Sequence, residues 1–260
     1  MRGDGTPVVA WADNSVGTWQ IYARGWTGAA WAELAGSGAG GGVSNTVAAS
    51  RAPTLAANGT LVALAWEEGN ELSREIYIRR WNPTPGSWQE LSGSASGGGL
   101  SNNVTDSQQP AVAYDASGNV IVAWSDGDTG AVTIRVARYS GTAWGDMGTG
   151  SRTTGVSQTS LARSPRLAVS ASGAIALGWL DDRLASLSGD SVDVYVRQFS
   201  GSQWVEQLPG DASFGGISRT AGDAVGLALA IDSSGHAMAA WADTTSVSHP
   251  IAGEQTGGPE

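Results

Sequence analysis

Two residues beyond each of five tryptophans stands a carboxylate: Asp13 follows Trp11, Glu68 follows Trp66, Asp126 follows Trp124, Asp181 follows Trp179 and Asp243 follows Trp241. Residues i and i+2 of an extended strand share a face, so each acid is expected beside its indole, where the chain leaves the strand. Such a pair suits a polyhydroxylated ligand, because the ring stacks on the apolar face of a pyranose while the acid accepts its hydroxyls. The competing role is structural: a carboxylate repeated at a fixed position caps backbone N–H groups of an adjoining loop.

Residues that break the pattern are the better ligand candidates, since the scaffold does not require them. Trp19 is the clearest, because Arg74, Val132 and Val192 hold its slot elsewhere. Trp19, Asp13, Glu68, Asp126 and Asp181 therefore form the expected ligand-binding set. In "SDGDTG" (125–130), Asp126 and Asp128 are spaced like the start of a calcium loop, although the bidentate Glu and the remaining oxygen ligands of an EF-hand are missing. Calcium is the one cofactor the sequence raises. The segment "DDRLASLSGDSVD" (181–193) adds Asp182, Arg183, Asp190 and Asp193 to the same side. Arg24, Arg79 and Arg197 share one position in three repeats, yet a repeated outer position spreads around a disc and does not converge on one anion. His236 follows an a–b turn and His249 lies in the C-terminal tail, so no Ser/His/Asp set can be assembled from repeat neighbours. No catalytic residue is nominated.

The elements that carry these residues recur. The steps between the five tryptophans are 55, 58, 55 and 62 residues. Ahead of four of them runs an apolar segment, "PTLAANG", "PAVAYDASG", "PRLAVSASG" and "LALAIDSSG"; behind four comes "QIYARGW", "EIYIRRW", "TIRVARY" or "DVYVRQF", then a short "AWAEL"-like piece. Four alternating segments joined by short turns read as an antiparallel meander, here strands a to d. Blades of this length bury both faces only by stacking on neighbours around an axis. Ala10, Ala65, Ala123, Gly178 and Ala240, each just before the tryptophan, leave the opposite face hollow, and each blade's tryptophan is expected to enter the hollow of the next. The expected fold is all-β: a propeller of four-stranded antiparallel blades, four to five within this chain. The repeats fall at about 5–36, 52–93, 109–150, 164–210 and 225–245, in one domain over 1–260. "GSGAGGGVSNTVAAS" (36–50) and "GSASGGGLSNNVTDS" (93–107) are then inter-blade linkers. The G-x-G-x-x-G within the first lacks the helix that a dinucleotide site needs.

Composition narrows the partners. The chain has 260 residues, all 14 basic ones Arg, and a net charge of −10, which disfavours nucleic acid and anionic membranes. Cysteine is absent, so there is neither a disulfide nor a thiolate metal site. No apolar run reaches 18 residues and no signal peptide is visible in this stretch.

The order of a Pro-led strand, a D-x-S-G turn (Asp115 to Gly118, Asp232 to Gly235), "VAWSD", "IYIRRW" and a G-x-x-W hairpin resembles the β-propeller repeats of bacterial secreted and cell-surface proteins. More distantly it is similar to sialidase-type propellers. Their S-x-D-x-G-x-x-W box is reduced here to "WTGAAW" (26–31), "YSGTAW" (139–144) and "FSGSQW" (199–204). The resemblance implies a location outside the cell or on its surface. It further implies a glycan or protein ligand bound without catalysis, with a sialidase-like hydrolase or a structural module as alternatives. The first repeat lacks strand a and the last lacks c and d. Residues 227–232 could complete the first blade, or the chain could belong to a longer ring.

Overall fold

The computed structural model describes residues 1–159, 161–183, 192–219 and 222–244. Among them no helix forms, and every regular element is antiparallel sheet. The first sheet holds β1 (Val8–Asp13), β2 (Gln20–Trp26) and β3 (Trp31–Glu33). Three four-stranded meanders follow. They are β4 (Ser50–Asn58), β5 (Leu61–Glu68), β6 (Glu75–Asn82) and β7 (Ser87–Glu90); β8 (Ser107–Tyr114), β9 (Val120–Asp126), β10 (Thr133–Tyr139) and β11 (Trp144–Asp146); and β12 (Ala162–Val169), β13 (Ile175–Asp181), β14 (Asp193–Phe199) and β15 (Trp204–Val205). The last sheet pairs β16 (Ala224–Ile231) with β17 (Ala237–Asp243). These are five consecutive propeller blades. The strand β16 does not add to the first sheet: it packs on the fourth blade, its Leu227 and Leu229 clustering with Val194 and Val196.

The blades stack large against small as the alternation predicts, but Trp66, Trp124 and Trp179 each enter the hollow of the preceding blade and not of the next. Trp66 meets Ala10, Ala12 and Ala23; Trp124 meets Ala63 and Ala65; Trp179 meets Ala123 and Val136. These three indoles are fully buried, and burial of so large an apolar surface is the main force holding blade to blade. A tyrosine of strand c stacks on the indole in three blades, Trp11 on Tyr22, Trp66 on Tyr77 and Trp179 on Tyr195. At the periphery the strand-d indole N–H is a second tie. Trp88 donates to the Leu34 carbonyl at 2.9 Å, Trp144 to Leu91 at 2.6 Å and Trp204 to Met147 at 2.6 Å.

The linkers need glycine for one reason. Val43, Leu100 and Val156 each donate a 2.6 Å amide bond to the second residue of strand c, Ile21, Ile76 and Ile134. The glycines just before them, Gly42, Gly99 and Gly155, have φ of 62°, 66° and 82°. A Cβ at Gly42 or Gly99 would collide with the same carbonyl oxygen, so only glycine fits the close approach.

Candidate functional site

The b–c loops and the inter-blade linkers share one face of the molecule. Backbone bonds join them: Ser50 N–H donates to Trp19 O at 2.9 Å, Ser107 to Arg74 O at 2.8 Å, Gly69 to Ala49 O at 3.0 Å and Gly127 to Asp106 O at 3.1 Å. The expected ligand residues are all carried by this face, but at different depths.

Three of the carboxylates are interior. Glu68 is 9 %, Asp126 1 % and Asp181 0 % exposed. Each accepts the indole N–H of its own tryptophan, at 3.0 Å in the first two and 3.2 Å in the third. Glu68 also takes the Ser50 hydroxyl at 3.1 Å. Asp126 takes Ser107 at 2.8 Å, Asn103 at 2.6 Å, Thr105 at 2.8 Å and the Arg135 guanidinium at 3.1 Å. Asp181 takes Thr159 at 2.5 Å and Arg183 at 2.7 Å. Glu68, Asp126 and Asp181 of the expected ligand-binding set are therefore buried clamps. Each fixes an anchor indole, and Glu68 and Asp126 also hold the first serine of strand a. The physical reason is desolvation: a buried carboxylate needs compensating donors, and these come from the indole itself, from the start of strand a and, for Asp126 and Asp181, from the preceding linker and an arginine. The calcium reading meets the same obstacle. Both oxygens of Asp126 are already occupied, Asp128 lies exposed beyond it, and the described residues hold no group of three acids or histidines.

Asp13 and Trp19 stay partly exposed. Asp13 accepts the Ser15 amide at 2.7 Å, and bonding to the Ser15 side chain, then to this amide, holds its carboxyl below the usual carboxylate range. Trp19 lies beneath the Arg51 guanidinium, 5.6 Å from the ring centroid, so one ring face already carries a cation. Beside them Thr18, Ala48, Arg51, Asn70, Glu71 and Ser73 line an open cavity of about 570 Å³. Of the long b–c segment, Asp182, Arg183 and Asp193 are described, while residues 184–191, including Asp190, lie outside the described residues. Asp182 pairs with Arg163 at 3.4 Å, and Asp193 accepts the Ser218 hydroxyl at 2.6 Å.

A feature the sequence reading missed is the inner rim. The strands β4, β8, β12 and β16 touch in succession and so lie innermost. Each is interrupted by a bulge, between Arg51 and Thr54, Gln108 and Ala111, Arg163 and Arg166, and Val225 and Ala228. Ala52, Gln109 and Ser164, each immediately before a proline, take φ of 49°, 57° and 54°. That conformation costs roughly 1–2 kcal/mol for a non-glycine residue, and hydrogen bonds between blades offset it. The Gln109 amide donates to Glu67 Oε2 at 2.9 Å, and the Ser164 amide to Gln109 Oε1 at 2.8 Å. Glu67 in turn lies 3.5 Å from Arg74, which holds Asp106 in a two-pronged pair at 2.9 and 2.5 Å. The bulges open a cavity of about 400 Å³ whose lining includes Pro53, Thr54, Gln109, Pro110, Ser164 and Arg166. The sequence carries only the strand-a prolines as a sign, and these mark a strand start as readily as a bulge. Arg51, which lines the first cavity, directly precedes Ala52 of this one along β4.

Glu75 is the remaining group of chemical interest. It is half-buried at the start of β6, accepts the Ser101 hydroxyl and, at 3.1 Å, the Asn103 amide, and burial pushes its carboxyl above the ordinary value.

No protein-family model matches the sequence, and a comparison with curated proteins gives no match. Among solved structures, the Trypanosoma rangeli sialidase in complex with the inhibitor DANA is similar at 14 % identity and a TM-score of 0.47, over 78 % of this chain and 36 % of that one. The GH43 endo-arabinanase from Bacillus licheniformis gives 11 % identity and a TM-score of 0.45, over 95 % and 79 %. Native Bacillus subtilis arabinanase Arb43A gives 10 % and 0.47, over 94 % and 87 %. The chain thus spans about a third of the length of the sialidase. Likeness at this level does not extend to the site.

Proposed function

We propose that this propeller binds a saccharide, without hydrolysing it, in the cavity at the inner rim of the face that carries the b–c loops, with Trp19 and Asp13 at the outer edge of that face. The observation that carries the reading is the lining contributed by three successive blades. Pro53, Pro110 and Ala111 supply apolar walls, while Thr54, Gln109 and Ser164 supply neutral polar groups and Arg166 one cation. A cavity of about 400 Å³ lies in the range of small-ligand sites, roughly 300–1,000 Å³. Mixed apolar and hydrogen-bonding walls match a sugar ring, which has one apolar face and a rim of hydroxyls.

Binding is favoured over hydrolysis by the absence of carboxylates among the described lining residues, since glycoside cleavage ordinarily needs a pair. The nearest acid in the network, Glu67, is held by the Gln109 amide and Arg74. A location outside the cell accords with this reading and with the resemblance to surface propeller repeats; no helix among the described residues is long and apolar enough to cross a membrane.

The test pairs a glycan array with a panel of fluorogenic glycosides on the purified protein. Binding on the array with no release of fluorophore is the expected result. Turnover that disappears in Glu75→Gln would replace the binding reading with a hydrolase one. An array without a hit would refute saccharide recognition.

A further inference from the structure

Of the three seams that join the first four blades, two share a construction and one departs from it. In the seam between the first and second blades, Arg79 of β6 donates to the Val43 carbonyl of the linker at 2.8 Å. Between the third and fourth, Arg197 of β14 donates to the Val156 carbonyl at 2.6 Å. The register makes these arginines equivalent: Arg79 pairs with Leu64 and Arg197 with Leu177, each two residues before its anchor tryptophan. The equivalent position in the third blade pairs with Val122 and is Ala137. The facing linker residue is Leu100, where the other two seams have valine.

A compensating exchange accompanies the loss. Ser94, Ser151 and Asp211 accept equivalent backbone bonds from Ile78, Val136 and Val196, so Ala95, Arg152 and Ala212 are equivalent next residues. The blades that keep the strand-c arginine, Arg24, Arg79 and Arg197, have a small residue there, Gly38, Ala95 and Ala212, and the blade with Ala137 has Arg152. The guanidinium has moved from the strand to the linker, and the seam has opened. The cavity between the third and fourth blades, where Arg197 fills the space, is about 30 Å³. The one between the second and third is about 440 Å³ and is lined by Trp144, Arg152, Ser94, Ser101 and Asn102 among others.

We propose that this seam is a second saccharide site, specific for a sugar bearing a carboxylate, such as a hexuronate. Arg152 lines the cavity and donates Nη1 to the Trp144 carbonyl at 3.3 Å. Among the described residues no carboxylate oxygen comes within 4 Å of its guanidinium, a condition under which a planar, doubly donating cation meets an incoming carboxylate. Trp144, partly buried with its indole N–H tied to Leu91, presents a fixed aromatic wall. Ser94, Ser101 and Asn102 complete a polar rim for ring hydroxyls. The site is separate from the inner-rim cavity and shares no lining residue with it.

The experiment follows the Trp144 indole N–H resonance during titration with methyl glucuronide, methyl glucoside and acetate at millimolar concentration. Two variants accompany the native protein: Arg152→Ala, and the triple change Ala137→Arg, Leu100→Val, Arg152→Ala, which installs the residue set of the closed seam between the third and fourth blades. The expected result is a saturable shift with methyl glucuronide, at least tenfold weaker with the glucoside and with acetate. The shift weakens at least tenfold in Arg152→Ala and vanishes in the folded triple variant. Equal response to acetate would overturn the saccharide part, and equal response to the glucoside the charge part. No saturable shift, or one unchanged by Arg152→Ala, would overturn the site. These outcomes are read apart from the inner-rim cavity, whose residues the variants leave intact.

Discussion

Replacing Asp126 by alanine is expected to unfold the protein far more readily than replacing Asp13, its repeat equivalent. The buried carboxylate of Asp126 holds Trp124 at 3.0 Å, Ser107 at 2.8 Å, Asn103 at 2.6 Å, Thr105 at 2.8 Å and Arg135 at 3.1 Å. Hydrogen bonds to a charged group contribute about 1.5–3 kcal/mol each, and removing one partner of a buried ion pair costs about 3–5 kcal/mol. These terms overlap, because water enters the gap and the hydroxyls turn to other acceptors. A net loss of about 4 kcal/mol is therefore expected for Asp126→Ala and about 2 kcal/mol for Asp126→Asn, which keeps one acceptor oxygen. Asp13, partly exposed and bonded to the Ser15 amide, should cost no more than about 0.5 kcal/mol. Urea unfolding followed by tryptophan fluorescence reads the difference as a displaced midpoint at unchanged slope. If Asp126→Ala costs no more than Asp13→Ala, the carboxylates are not clamps and the assignment of their role fails.

Three further outcomes follow from the same geometry. Trp124→Ala should cost about 3–5 kcal/mol, as for a large buried aromatic, and Trp19→Ala only about 1; comparable losses in thermal or urea melts would contradict the packing described for the two. Gly99→Ala should cost about 2–4 kcal/mol, because φ is 66° and the new Cβ meets the Ile76 carbonyl oxygen; a neutral substitution would show that the linker does not need its close approach. Burial raises the Glu75 carboxyl above its ordinary value of 4.5, so the folded state holds the proton more tightly than the unfolded state. The stability this contributes is full below the unfolded value and is lost as pH rises through the folded one. Glu75→Gln should remove that downward slope from a stability–pH profile, and an unchanged profile would refute the raised value.

Most of the scaffold could be read in the amino acids, because the period of two and the Trp-x-acid step are local and occur in every blade. Trp66, Trp124 and Trp179 pack against small residues as the alternation requires, although those of the blade before and not of the next. The depth of the acids could not be read this way. Asp126 is enclosed by Asn103, Thr105 and Ser107, residues about twenty positions upstream that reach it only once the linker folds over the strand end. The inner rim was equally hidden, since proline at 53, 110 and 165 marks a strand start as readily as a bulge. Its distinguishing sign, a left-handed residue just before, is a backbone angle and leaves no mark on the residue type: alanine, glutamine and serine all adopt it. The exchange of arginine between positions 137 and 152 was legible in principle. It becomes meaningful only when hydrogen-bond register shows that both positions face the same seam.

The central claim, that a saccharide occupies the cavity at the inner rim, is tested most directly by calorimetric titration. The ligand is the strongest glycan from an array, titrated into native protein and into Thr54→Val and Arg166→Ala, with folding confirmed by melting. Both changes are expected to weaken binding about tenfold or more, as the loss of about 1.4 kcal/mol of polar contact requires. A glycan that binds the native protein and both variants with equal affinity would place recognition elsewhere and contradict the account.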